Sequence, residues 1–413
     1  MKRDDDLTSR ADRIGPNILM ITGEFPPSKG GIGDYTSLLA THLGRRGARV
    51  TVITRGNQPY PDQRGQSDAV SVWRTMREWG FASWPRLVSA IGRCRPQILQ
   101  IQYQAAAYAM NPAVNLLPAY LRLRVPTIKI VTTFHDLRAP YLFPKAGTLR
   151  PAALHAMDKT SHATVVTNHA DLEALGGPAA QRSSRTVKRW LIPIGSNLEC
   201  APPIDFDRAS WRRQIGAGEE TLTVSYFGFM NSSKGVEYLV QALSLLAGRG
   251  LRWRLLIVGG EAGDSDPTNR GYSQWIVHLI KSRHLQDRVY WTGFVAGDQV
   301  SAALLSSDVC VLPFRDGVSL RRGSLLAALA HGLPIVTTFP SHPDPLLVDG
   351  ENVAMVQRDS PSALADAIEQ VWLDRAARER LASGARALGQ RFRWPDIAAR
   401  HLDMYETLLG QDR

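Results

Sequence analysis

The sequence predicts an α/β protein built from two doubly wound parallel-sheet domains, and three observations lead there. The chain has 413 residues, more than one ordinary hydrophobic core accommodates. Short apolar runs alternate with amphipathic stretches, the pattern of strands buried on both faces under covering helices. That alternation occurs twice, on either side of a polar, proline-containing segment.

The first series opens at Asn17. Ile18–Thr22 (ILMIT) is a continuous apolar run, GEFPPSKGGIGDYT a Gly/Pro loop, and TSLLATHLGRRG an amphipathic helix ending at Gly47. Ala48–Thr54 gives the next strand. SVWRT, a helix over Pro85–Cys94, QILQIQY, TIKIVTTFHD, ATVVTNHADLEAL and WLIPIGS follow, and the domain closes near Gly195–Pro203. SNLECAPPIDFDRASWRRQIGAGEE is poor in strand signal and reads as a linker with one short helix. The second series runs through LTVSYFGFM, the helix GVEYLVQALSLLAGRG, WRLLIVGG, a helix over Gln274–Arg283, RVYWTGF, the helix QVSAALLSSD and VCVLPF. A polar loop, a helix over Ser324–His331, LPIVTT, VAMVQ and a helix over Ser362–Leu373 complete it. Ligands of such sheets sit at the carboxyl ends of the strands, so two such domains predict a site in a cleft between them. The tail RFRWPDIAARHLDMYETLL spaces Ile397, Leu402, Met404 and Tyr405 on one face and predicts a last helix packing back. Periodicity leaves open which domain it covers.

Composition is that of a soluble globular chain, 44% apolar and 21% charged. The first residues, MKRDDDLTSRADR, do not resemble a secretory signal, and no apolar run approaches the roughly 18 residues of a membrane span. Cys94, Cys200 and Cys310 lack metal-type spacing, and Cys310 lies in an apolar strand pattern. A reducing cytoplasm is the expected location. The net charge of +11 is uneven: residues 1–195 hold 26 Lys+Arg against 13 Asp+Glu, the remainder 23 against 25. The excess is either a solvated basic surface or an attraction to anionic lipid or an acidic substrate. VWRTMREWGFASWPRL joins Trp73, Trp79, Phe81 and Trp84 to Arg74, Arg77 and Arg86. That mixture suits the inner face of a cytoplasmic membrane, and equally a helix packed on a sheet. No nucleic-acid-binding motif accompanies the charge.

Several stretches carry candidate chemistry. Asp308–Thr338 delivers a helix N-terminus behind a loop with Asp316, Arg321, Arg322, Gly323 and Ser324. Unpaired N–H groups, the helix dipole and arginines suit a diphosphate. The loop Gly23–Thr36, with Gly30, Gly31, Gly33 and Asp34, admits close approach to a phosphate or sugar, or is a plain strand-to-helix turn. It is neither a dinucleotide fingerprint nor a Walker loop. His135-Asp136 ends an apolar strand, where an imidazole can bond a sugar hydroxyl; otherwise His135 is a loop residue bonded to its neighbour. His169 is similarly placed after ATVVTN. Lys234 stands at a helix start, against the dipole unless an anion is present; the plain alternative is a solvated lysine. Asp264-Ser265-Asp266 is a D-x-D triplet of the kind that holds a divalent cation, with no other ligand near it, and no metal is expected.

Together these residues resemble the GT-B glycosyltransferases, specifically the retaining glycosyltransferase family 4, along nearly the whole chain. GEFPPSKGGIGDYT is similar to the family's glycine loop, TFHD to its first-domain His strand, and IPIGSN, with Asn197, to its interdomain turn. GFMNSSKG is similar to G-R-x-x-x-x-K-G, VYWTGFV, with Val295, to the nucleotide-facing strand, and AALAHGLPIVTT to E-A-M-A-x-G-x-P-V-V. FRWPDIAARHLDMY resembles the closing helix, which in the family crosses back to the first domain. The resemblance implies a Rossmann-like acceptor domain over 1–200, a Rossmann-like nucleotide-sugar domain over 201–390 and the returning helix over 391–413. It implies catalytic roles for His135, Asp136 and Ser319, and donor contacts from Phe229, Lys234, Glu261, Val295, Asp316, Arg321, Arg322, Gly323, Ser324 and Ala327. Gly30, Gly31, Gly33, Asp34, His169 and Asn197 would serve the acceptor or a phosphate. No cofactor is implied beyond a nucleotide diphosphate sugar as co-substrate, with a glycan or lipid-linked acceptor.

The chain departs from that pattern at three positions. Phe229 stands where the family has Arg, and Ser319 and Ala327 stand where it has glutamates eight positions apart. Arg321 and Arg322 are the expected replacements for the missing Arg. Two classes follow: an active transferase in cell-surface polysaccharide or glycolipid synthesis, or a catalytically silent binding subunit that modulates a partner enzyme. A sugar-nucleotide epimerase on the same architecture lacks a visible carboxylate constellation.

Overall fold

The structure is a computed structural model that describes residues 15–28, 30–58, 69–137, 149–176, 188–259 and 267–410. It divides into two compact units, one comprising Met1–Gly195 with Trp394–Arg413 and the other Ser196–Arg393. Each is built on one parallel sheet.

In the first unit the strands are β1 (Asn17–Thr22), β2 (Arg49–Arg55), β3 (Val70–Met76), β4 (Ile98–Tyr103), β5 (Lys129–Phe134), β6 (Ala163–Val166) and β7 (Lys188–Leu191). Their order is β3-β2-β1-β4-β5-β6-β7, all parallel. Alternation along β1 sends Ile18 and Met20 into one core and Leu19 and Ile21 into the other, as a strand covered on both faces requires. The chain reverses its direction of travel across the sheet between β1 and β4, which creates a crevice beyond their carboxyl ends. Helix α1 (Gly31–Arg45) follows β1, α2 (Trp84–Cys94) follows β3, and α3 (Ala113–Arg124) follows β4. α4 (Leu149–Thr160) and α5 (His169–Ala174) flank β6.

The second unit begins with α6 (Arg208–Gln214) and holds β8 (Leu222–Phe227), β9 (Trp253–Val258), β10 (Val289–Trp291), β11 (Val309–Leu312), β12 (Ile335–Thr338) and β13 (Ala354–Val356). The order β10-β9-β8-β11-β12-β13 repeats the pattern of the first sheet, with the reversal between β8 and β11. Helices α7 (Val236–Gly248), α8 (Pro267–Ser282), α9 (Gly297–Leu305), α10 (Gly323–Ala330), α11 (Pro361–Leu373) and α12 (Arg375–Gly389) complete the unit.

The tail forms α13 (Trp394–Leu409), which belongs to the first unit. Trp394, Ile397, Ala398, Met404, Tyr405 and Leu408 enter the core that holds Ile18, Met20, Leu39 and Val52. Trp394 meets Tyr35 of α1 edge-on at 5.2 Å, and the Tyr405 hydroxyl donates to Gln100 of β4. A Cβ at Gly195 would lie 2.5 Å from the Trp394 indole, so the chain beyond β7 can pass that ring only as glycine.

The aromatic stretch near residue 80 packs largely inward. Trp73 and Trp79 are buried in the core that holds Leu19 and Leu99, so of the two readings of this stretch these two residues follow the one that packs on a sheet. Their apolar area is spent on the sheet face, and of the four aromatics only Phe81 is exposed. Cys310 is fully buried in β11, where desolvation pushes its thiol up to about 12.

Candidate functional site

The reversal between β8 and β11 juxtaposes the two loops that the sequence marks. After β8, Asn231 caps a short 3₁₀ turn, Ser232–Lys234, by accepting from the Ser233 amide at 3.1 Å. Gly235 then opens α7 with φ +65, and a Cβ there would stand 2.1 Å from the Pro313 carbonyl. The turn therefore lies directly on the end of β11, and the Arg315 amide donates to the Ser233 carbonyl at 3.0 Å. Lys234 is thereby set beside the segment that leads into α10.

Phe314 organises the charges there. It is fully buried, with Lys234 Nζ 5.0 Å and Arg322 Cζ 4.6 Å from its ring centroid. Both cations gain from the ring's quadrupole, but they repel each other. Burial first, and the Arg322 charge second, pull the Lys234 amine down to about 8, with Asp316 acting in the opposite sense. Asp316 pairs with Arg322 from a half-exposed position. The site thus concentrates positive charge in a partly desolvated place, the arrangement an anion relieves.

The start of α10 adds donors. Its first turn contains no acidic residue and its N-cap, Arg322, makes no side-chain cap bond, so the first N–H groups and the dipole are unanswered by side chains. Ser324 is buried, and its Oγ has no hydrogen-bond partner among the described residues. Gly228, at φ +128, brings the end of β8 within 3.7 Å of Ser324 Cβ, measured from a Cβ built on the glycine.

The other expected residues of this unit divide. Ser319 accepts from the Arg321 amide at 3.3 Å, and its carbonyl accepts from the Arg322 amide at 3.0 Å, so it closes the turn into α10. Ala327 is buried in α10. Phe229 follows Gly228 and is half-exposed. Val295 follows β10, near the bridge between Gly259 and Gly293. Asn197 is exposed at the start of the unit, and Glu261 and Asp264-Ser265-Asp266 lie outside the described residues. The dipole conflict expected of Lys234 is milder than its position implies, because Lys234 precedes α7 and Glu237 supplies an acid in that helix's first turn.

In the first unit, Glu24 occupies the place the glycine loop was expected to offer. Its Oε1 accepts from the amides of Ile32 at 3.2 Å and Gly33 at 3.4 Å. A Cβ on Gly30 would stand 2.1 Å from Oε1, and one on Gly33 would stand 3.1 Å from Phe25 Cα. Gly30 thus makes room for an internal carboxylate at the start of α1, whereas Gly31 has open space. Asp34 lies in the same turn, where partial desolvation by its surroundings raises its carboxyl although its side chain still reaches solvent.

His135 follows β5. Its amide donates to the Tyr103 carbonyl at 2.9 Å, and Nε2 lies 2.9 Å from the side-chain amide of Gln102. Its ring meets Tyr35 edge-on at 4.6 Å. His135 is therefore held by β4 and by α1 immediately beyond the glycine turn. Asp136 lies next to it and is half-buried. His169 stands at the first position of α5 behind the Asn168 cap, after β6, the strand paired with β5. Glu24, Tyr35, Gln102 and Phe314 carry no role in the sequence reading. Only Glu24 leaves a signal, an acid shortly before a glycine-rich helix start.

The comparisons with known proteins agree with this geometry. Residues 29–175 match the family described as Glycosyltransferase Family 4, and residues 221–374 match Glycosyl transferases group 1. An uncharacterized glycosyltransferase of Methanocaldococcus jannaschii is 25% identical over 95% of this chain and 98% of its own. The GDP-mannose-dependent alpha-(1-6)-phosphatidylinositol monomannoside mannosyltransferase of Mycobacterium tuberculosis is 26% identical over 96% and 98%. Among solved structures, sucrose-phosphate synthase from Thermosynechococcus elongatus superposes with a TM-score of 0.71 at 22% identity, covering 95% of this chain and 99% of that one. Anabaena HepE, in complex with UDP and glucose, gives 0.67 at 17%, covering 95% and 100%. The fold of both matches this one.

Proposed function

This chain belongs to the GT-B glycosyltransferases, and we propose that it is a retaining, metal-independent enzyme that moves a sugar from a nucleotide diphosphate sugar to a glycan or lipid-linked acceptor. The observation that carries the donor assignment is the crowding of Lys234 and Arg322 around one buried ring, next to the unanswered start of α10. A diphosphate leaving group develops negative charge as the glycosidic bond breaks. Lys234, Arg322, Ser324 and the first amides of α10 would stabilise that charge without reorganising. The leaving phosphate would itself accept the acceptor's proton on the attacked face, so no enzyme carboxylate is needed as nucleophile. Ser319 and Ala327 are compatible with this role, since neither is asked to carry charge.

The mycobacterial relative acts, by its name, on a phosphatidylinositol mannoside. That supports a lipid-linked polyol acceptor and a place in cell-surface glycolipid or polysaccharide synthesis. The first unit, with its basic excess, would take that acceptor and rest on anionic membrane. No described helix is long and apolar enough to cross one. The silent-subunit alternative gains nothing from relatives that carry transferase names.

A thermal-shift panel of UDP-, GDP-, ADP- and dTDP-sugars, followed by donor hydrolysis, tests the reading. Binding to none of them would sink it. In the same assay R321A/R322A should weaken donor binding roughly 10- to 100-fold, the value of a charge-assisted bond or two. Unchanged affinity would remove these arginines from the site.

A further inference from the structure

We infer that the first unit docks on an anionic lipid surface through one specific face, made by the turn before α2 and the outer side of α3. The inference rests on the lipid-linked acceptor proposed above and supplies its partner surface. Phe81, in the turn Phe81–Ser83, is 52% exposed. Its ring meets Trp84 at 5.0 Å, and Trp84 stacks on Tyr120 of α3 at 4.3 Å. Leu116 and Leu123 lie one turn to either side of Tyr120 on the same helical stripe; they are 44% and 84% exposed. Three aromatics and two leucines therefore form one continuous apolar strip on the surface. What sets these residues apart from the other exposed apolar side chains is their contiguity, and a contiguous strip marks an interaction surface.

Charge identifies the occupant. Between Glu78 and Asp136 the chain carries no acidic residue, yet it holds Arg86, Arg93, Arg95, Arg122, Arg124 and Lys129. Arg122 and Arg124 bracket Leu123 and are exposed, as is Arg93 on α2. Apolar and aromatic side chains that enter the headgroup boundary, rimmed by arginines with Glu78 as the acid at the edge of the turn, fit anionic lipid. A protein partner or a second copy of this chain, burying the same leucines, would ordinarily bring mixed charge. Pro118 lies inside α3 on its buried side with Leu117 and Leu121, whereas Leu116 and Leu123 are exposed.

Co-sedimentation of the full chain with vesicles tests this. The expected result is pelleting with phosphatidylcholine/phosphatidylglycerol vesicles and little with phosphatidylcholine alone. R122Q/R124Q should reduce binding to the anionic vesicles by roughly fivefold per arginine near the surface. F81S/L123S should abolish it while melting temperature and hydrolysis of a soluble donor stay unchanged, because both side chains are already solvent-exposed. Equal binding to both vesicles, binding untouched by either double variant, or a dimer that F81S/L123S converts to monomer would each overturn the inference. Donor hydrolysis without vesicles reads the transferase proposal separately, so either can fail alone.

Discussion

Lys234→Ala lowers kcat/KM for sugar transfer by roughly 100- to 1000-fold, the loss expected when one preorganised donor to a developing anion is removed. The effect falls on the chemical step more than on donor affinity, because charge on the leaving diphosphate grows as the bond breaks. Lys234→Arg recovers part of the rate, since the charge returns in a geometry that Phe314 and Gly235 shape for an amine. The same side chain sets an alkaline limit. With its pKa at about 8 instead of the ordinary 10.5, Lys234 loses its proton as pH rises through about 8, and transfer declines there. The stability effect has the opposite sign. Between about 8 and 10.5 the unfolded chain holds more protons at this lysine than the folded one, so its contribution to stability rises with pH. Falling activity without unfolding in that window, and proton uptake on donor binding in calorimetry, are the expected signatures. A kcat/KM that stays flat through this range would remove Lys234 from the reaction.

Asp308→Ala costs about 3–5 kcal/mol of folding stability, the largest loss expected from a single charge in the second unit. Asp308 Oδ2 accepts from Arg212 at 2.8 Å and from the Thr223 amide at 2.8 Å, and Oδ1 accepts from Arg208 at 2.6 Å. Arg212 is buried and also donates to the carbonyls of Gly218 and Thr221. Removing the carboxylate leaves a guanidinium charge uncompensated where water does not reach. Arg208 is half-exposed, and Arg208→Gln should cost at most about 1 kcal/mol. Urea midpoints for the two variants make the comparison; equal shifts would show that burial of Arg212 is not the cause.

Both sheets were legible in the chain because a strand covered on both faces carries no charge at its centre and is rich in apolar residues, as in ILMIT, while buried Thr223 and Ser225 in LTVSYF are small enough to keep that pattern. Other elements were not. Helix α3 hides in AVNLLPAYLRLR, where Pro118 breaks the propensity pattern and apolar residues fall on both the buried and the open side. Helix α12 is so rich in arginine that its narrow apolar stripe (Leu381, Ala385, Leu388) is masked. The segment after Gly195 read as a linker, yet Arg212 anchors it to the second sheet through a residue nearly a hundred positions away, a contact no local pattern announces.

The candidate site shows the same division. Lys234, Arg322 and Ser324 could be marked because helix starts and glycines punctuate a sequence. Phe314 could not, since a buried phenylalanine at a strand end is indistinguishable from core until the ring is seen between two cations. The glycine turn was read as open to a ligand, and the glycines do mark a close approach. The group that approaches is Glu24, from the same chain. The aromatics and arginines near residue 80 left membrane contact and packing on a sheet both open, and Trp73 and Trp79 pack on the sheet. Exposure, which composition does not encode, moves the emphasis to Phe81, Tyr120 and Leu123.

The return of α13 to the first unit has a consequence for biosynthesis. The sheet of that unit leaves the ribosome first, but one of its two cores lacks Trp394, Ile397, Tyr405 and Leu408 until all of Ser196–Arg393 has been translated. Through that interval the face that carries Ile18, Met20 and Val52 has α1 over it but lacks the part of its cover that α13 supplies, while the second unit can fold as its own strands emerge. The amino-terminal half is therefore the last part of this molecule to mature, and it is the half that most needs protection from aggregation while the chain is nascent.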